Sequence, residues 1–145
     1  RLFARYRQLA AWGLLLAAGM VLLALVWRHG LARGTLILLP TALALWLTPA
    51  LLTYAGVALT FFHMMALMLV LGVGVNYAIF LREGQHRAPA VLAGVILSAL
   101  TTLLSFGLLA LSSMPALHQF GLALLLGVCL AVLFTPAALV LERRK

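Results

Sequence analysis

The stretch Val57-Ala-Leu-Thr-Phe-Phe-His63-Met-Met-Ala-Leu-Met-Leu-Val-Leu-Gly72-Val-Gly74-Val-Asn76-Tyr77-Ala-Ile-Phe-Leu81 decides the fold. It contains no charged residue and is long enough to cross a hydrocarbon core, which takes about 20 residues of helix for about 30 Å. It does not alternate apolar with polar residues as a strand of a membrane barrel does. In lipid every backbone amide must be satisfied within the segment, so the run is read as a transmembrane helix.

Four more runs of this kind lie around it, giving spans of approximately Leu9–Trp27, Thr35–Tyr54, Val57–Leu81, Ala88–Leu111 and Leu117–Leu141. Between them stand Arg28 to Gly34, Tyr54-Ala-Gly56, Arg82 to Arg87, and Ser112-Ser-Met-Pro115, all short and rich in charge, glycine or proline. Pro89 and Pro115 fall at helix starts, which tolerate proline, whereas Pro40 and Pro49 fall inside the second run and predict a kink. The expected architecture is an all-α, polytopic bundle of five membrane-spanning helices over 9–145, with 1–8 as an interfacial lead-in segment.

Composition agrees, with 66% hydrophobic and 8% charged residues and a mean hydropathy of +1.22. A soluble domain carries roughly 25% charge. The ten Lys and Arg against two acids give a formal charge of +8. These cations sit in short clusters between apolar runs and form no continuous stripe, so they set topology and do not bind nucleic acid. Arg28, Arg33, Arg82, Arg87, Arg143, Arg144 and Lys145 fall on one side of the five spans, and Arg1, Arg5 and Arg7 on the other. The larger group places the C-terminus in the cytoplasm. The first residue is Arg1 and no signal peptide is recognisable, so the chain reads as part of something longer.

Inside the spans Asn76 is the most polar side chain, and an amide at that depth needs a partner on another helix or water in a cavity. It lies five residues before Leu81, on the cytoplasmic side of mid-span. The fourth run offers Gly94, Ser98, Thr101, Thr102 and Ser105 at helical spacing on one face, with Ser98 and Thr101 nearest in depth. Hydroxyls of this kind often bond their own helix's carbonyls, but beside an Asn-bearing helix a polar interhelical seam is the better reading. Gly72, Gly74 and Gly94 are read as positions of close helix packing.

Glu83 and Glu142 stand beside arginines at helix ends and read as solvated charges, which leaves no catalytic constellation and argues against an enzyme. His29, His63, His86 and His118 share no metal-ligand spacing with a carboxylate or with Cys129, so neither a metal nor another cofactor is expected. His63 is a candidate proton carrier, but about 13 residues from Asn76 it lies roughly 20 Å away along the helix, at the opposite interface. Trp12, Trp27 and Trp46 read as packing or interface aromatics.

The stretch from Phe61 through Gly72-Val-Gly-Val-Asn-Tyr77 to Glu83 resembles the tenth helix of resistance-nodulation-division (RND) transporters, specifically the MMPL-type exporters. Leu97 to Ser113 resembles their eleventh helix, and Phe120-Gly121 through Thr135-Pro136 the twelfth. The resemblance implies helices eight to twelve of a proton-coupled inner-membrane exporter of a lipid or other hydrophobic compound. Its partners would be the N-terminal half and the extracytoplasmic domains of the same longer chain, and Arg1–Gln8 would lead in from one such domain. In the family Gly-x-Gly-x-Asp-Tyr supplies the carboxylate of a proton relay, where this sequence has Asn76. Asn76, Tyr77, Ser98, Thr101 and Thr102 are the implied relay positions. Asn cannot titrate, which leaves a second expectation: a non-transporting membrane scaffold or assembly subunit derived from such a transporter.

Overall fold

A computed structural model describes residues 2–84 and 87–143. Five helices follow one another: α1 (Leu2–His29), α2 (Leu31–Tyr54), α3 (Phe61–Glu83), α4 (Ala88–Ala110) and α5 (Pro115–Arg143). All five are long and apolar enough to cross a membrane, so the protein is an all-α, multi-pass membrane bundle.

The ends differ from the sequence reading where local chemistry outweighs hydropathy. α1 runs unbroken from Leu2, because Leu2–Gln8 contains neither Gly nor Pro and arginine is a good helix former. Val57 to Thr60 is apolar yet not helical, and α3 starts only after Thr60, whose extended backbone makes it the N-cap. α2 passes through both Pro40 and Pro49. Gly30, with φ 84°, turns the chain between α1 and α2 in a conformation that side-chain-bearing residues rarely adopt.

α5 is the hub, packing along α2, α3 and α4, while α1 covers α2 and α3 on the other side. α3 and α4 touch each other least. Lipid offers no hydrophobic drive for helix association, so close approach through small residues matters most. A Cβ built on Gly121 would run into the backbone nitrogen of Ala110, and one on Gly127 would meet Val70 at 2.5 Å. Between α2, α3 and α5 the buried hydroxyls of Thr48 and Thr135 donate to Ala44 O at 2.7 Å and Ala131 O at 2.6 Å, satisfying themselves on their own helices. Leu67, Val70, Leu124 and Val128 complete that core.

Both ends of the bundle carry polar ties. At one end the Glu83 carboxylate lies 3.6 Å from Arg28 and 3.7 Å from His29, and Arg82 donates to Arg33 O at 3.5 Å. At the other Arg7 donates to Leu59 O at 3.3 Å. Trp12, Trp27 and Trp46 all point outward and do not pack inside the bundle. Of the residues used above for orientation, Arg1, Arg144 and Lys145 lie outside the described residues, as does His86.

Candidate functional site

The shallow meeting of α3 and α4 leaves a groove of ≈ 350 Å³ between them, lined by Asn76, Tyr77, Phe80, Val91, Gly94 and Ser98, among others. Tyr77 is buried on the α5 side and projects its phenol under the groove. Its hydroxyl lies 3.4 Å from both Ser98 Oγ and Thr102 Oγ1, bridging the two helices. Thr102 already donates its hydrogen to Ser98 O at 2.9 Å, so it can only accept from Tyr77. Both bridging distances are at the long end for O–H···O bonds, which marks a loose contact.

Asn76 lines the same groove from α3, exposed, and makes no side-chain hydrogen bond among the described residues. Its amide therefore has donors and acceptors to offer to water or to whatever fills the groove. The structure brings Tyr77, Ser98 and Thr102 together, while Asn76 stands on the open side of that contact without a bond to Ser98 or Thr101, the partners its depth suggests. Thr101 is not part of it: its hydroxyl donates to Leu97 O at 2.9 Å on its own helix, and the residue is exposed. The hydroxyl reading that favours the seam holds for Thr102, which both bonds its own helix and meets Tyr77, and fails for Thr101.

The three glycines also divide. Gly74 is a close-packing position, since a Cβ there would meet Thr41 Cγ2 at 2.8 Å, Thr41 Oγ1 at 2.9 Å and Ala131 Cβ at 3.3 Å. Gly72 and Gly94 have nothing within 4 Å of a built Cβ, which corrects their expected role in packing within this chain. The reason is geometric. At about 100° per residue, Gly72 and Asn76 share a face, and Gly74 stands on the opposite one.

Sequence reasoning missed Thr41, a fully buried threonine whose Oγ1 has no hydrogen-bond partner and which fills the notch at Gly74. It also missed a second polar cluster at the far end of α3, where Thr60 links His63 to Gln119. The Thr60-x-x-His63 spacing, matching an N-cap and its N3 residue, was the available signal. Among the described residues no group of three or more His, Cys, Asp or Glu is placed to hold a metal ion, and Cys129 is a free, half-buried thiol.

No protein-family model, curated protein or solved structure matches the chain.

Proposed function

We propose that the chain is the C-terminal membrane half of a transporter, a proton-coupled exporter of a lipid or other hydrophobic compound in the bacterial inner (cytoplasmic) membrane, with its C-terminus in the cytoplasm. The observation that carries this reading is the α3–α4 groove: Asn76, Ser98 and the Tyr77 hydroxyl gathered within membrane-spanning helices, on the face where those helices pack least. Polar side chains within spans are costly, and by default they mark a path for a substrate or ion. Transporters place such sites near mid-membrane between elements that rock against one another.

In this mechanism a carboxylic acid from the other half takes up the proton. Asn76 donates or accepts a hydrogen bond to it according to its charge, because an amide presents both functions and titrates neither. Loss of that bond on one side of the cycle shifts α3 against α4, and the shift passes to the extracytoplasmic domains. Gly72 and Gly94, open here, leave room for the opposing helix. In the complete exporter, Asn76→Leu is expected to abolish proton-driven export of a labelled hydrophobic compound from vesicles while leaving the amount of folded protein near normal. Unchanged export overturns the assignment.

One observation favours the scaffold reading: the chain's two acids, Glu83 and Glu142, both stand at helix ends, so the spans carry no titrating carboxylate. The upstream sequence of the complete protein separates the two. A matching Gly-x-Gly-x-Asp-Tyr there supports the exporter, and a neutral residue at that position supports the scaffold.

A further inference from the structure

We propose that His63 is a proton-binding site whose occupancy switches the N-terminal cap of α3. The proposal deepens the proton-coupled reading above by naming a second titrating position, far from Asn76, but its geometry is independent of the α3–α4 groove.

His63 is fully buried in the first turn of α3. Its Nδ1 accepts the backbone N–H of Thr60 at 3.0 Å, taking the place that Glu or Gln holds in a capping box. An accepting Nδ1 assigns the ring hydrogen to Nε2, which is buried and has no partner. Nδ1 also lies 2.8 Å from Thr60 Oγ1, and that hydroxyl donates to Gln119 Oε1 of α5 at 2.7 Å.

Adding a proton to this ring makes both nitrogens donors. Nδ1 then cannot accept the Thr60 N–H, and that half of the capping box is lost, while the half in which the Thr60 side chain accepts the His63 backbone N–H is untouched. Thr60 Oγ1, its own hydrogen committed to Gln119, is in place to accept from Nδ1–H instead. The same heavy atoms thus support two hydrogen-bond arrangements, one in which Nδ1 accepts from the Thr60 N–H and one in which it donates to Thr60 Oγ1, with Thr60 tied to Gln119 of α5 in both.

Thr60 and Gln119 line a cavity of ≈ 540 Å³ at this end of the bundle, together with Arg7, Tyr6 and Phe61. The groups that face His63 give its charge no relief. α1 brings Arg7 and Tyr6 to the cavity, α5 brings His118 next to Gln119, and α2 ends in the exposed Tyr54. α4 carries no ionisable side chain, and Glu83 and Glu142 stand at helix ends remote from Thr60. A proton on His63 is therefore met by Thr60 alone, and the uncompensated buried charge favours opening of the connector over residues 55–60 and the first turn of α3.

The test is nitrogen-15 NMR of the histidines, with site-resolved amide hydrogen exchange, on the complete protein in nanodiscs from about pH 8 to about pH 5, where imidazoles change charge. The expected result is conversion of His63 from the Nε2–H tautomer to imidazolium. Over the same range the protection of the Thr60 amide, whose acceptor is Nδ1, and of the Met64 amide, whose acceptor is Thr60 O, corrected for intrinsic exchange, should fall at least about tenfold. His63→Gln keeps an N3 acceptor but cannot titrate, so its protection should not respond to pH, whereas His118→Gln, which keeps His63, should still respond. A His63 that stays neutral to pH 5, or protection that is unchanged as it protonates, overturns the proposal on the parent chain alone. Persistence of the response in His63→Gln, or its loss in His118→Gln, overturns it as well. Export assays with the same variants address the transporter reading separately, since the NMR result stands whether or not the protein transports.

Discussion

Gly74→Ala tests the reading of the Gly72-Val-Gly74-Val-Asn76 motif most directly, because its partner can be removed independently. The new Cβ would stand 2.8 Å from Thr41 Cγ2 and 2.9 Å from Thr41 Oγ1. Carbon pairs are at rest near 3.5–4.0 Å, so α2 and α3 must part by roughly 0.7 Å or more. Thr41 cannot swing aside, being β-branched and fully buried. Overpacking of this kind costs about 1–3 kcal/mol, and about 2 kcal/mol is expected here, or close to thirtyfold in the unfolding equilibrium. Thr41→Ala alone loses a methyl worth about 0.8 kcal/mol and relieves a buried hydroxyl that has no partner, worth about 1–3 kcal/mol. Its net effect is near zero or slightly stabilising. In the double variant only the 3.3 Å contact with Ala131 Cβ stays tight, so most of the loss should disappear, a coupling of about 2 kcal/mol. Reversible unfolding of the four proteins in bicelles supplies the cycle, and Gly72→Ala, with open space around it, is the control expected within about 0.5 kcal/mol of the parent. A Gly74→Ala protein as stable as the parent, or one that Thr41→Ala fails to rescue, refutes the packing argument.

Gly121→Ala should be more damaging than Gly74→Ala, at about 3 kcal/mol, because its Cβ meets the backbone of Ala110 and Leu109, which no rotamer change can move; parity with the open position Gly94→Ala in the same unfolding assay would contradict this. Glu83→Gln removes a carboxylate that is 52% exposed from partners at 3.6 and 3.7 Å. It is expected to cost no more than about 1 kcal/mol, less at high salt, and a loss above about 2 kcal/mol would show that the pairing is not the screened surface contact its exposure indicates.

The five spans were legible because length without charge is itself the physical requirement for crossing lipid. Their ends were less so. Hydropathy does not separate an apolar helix from the apolar, non-helical Val57-Ala-Leu-Thr60, and it stops at the arginines of Leu2–Gln8, which helix formation tolerates. Ser98 and Thr102 were among the residues that helical spacing put on one face, whereas Tyr77 came only from the resemblance, and depth favoured Thr101 over Thr102. What spacing cannot supply is the neighbour: Thr101 and Thr102 differ by one residue, yet one faces its own carbonyl alone and the other also reaches Tyr77. The partner of Gly74 sits on α2, and Gln119 meets Thr60 across 59 residues of chain, with no local signal at either site.

The motif acquires its meaning from rotation about α3. Gly72 and Asn76 stand on one face and open on the groove side, while Gly74, about 200° away from each, is wedged against Thr41 and Ala131. α3 is thereby fixed to α2 and α5 on the side away from its amide, and more than half of its span is buried against 11% for α4. A change in groove width therefore cannot come from α3 turning alone without breaking the Gly74 contact. It has to come from α4 moving across α5, and the backbone-to-glycine contact at Gly121 is where those two helices are closest to interlocked. The width of the polar groove and the packing at Gly121 are then one variable. Gly121→Ala should alter the Tyr77 to Ser98 and Thr102 contacts as well as stability, which the tyrosine hydroxyl's NMR shift would register. An unchanged shift in a folded Gly121→Ala protein would separate the two and leave α3 as the moving element.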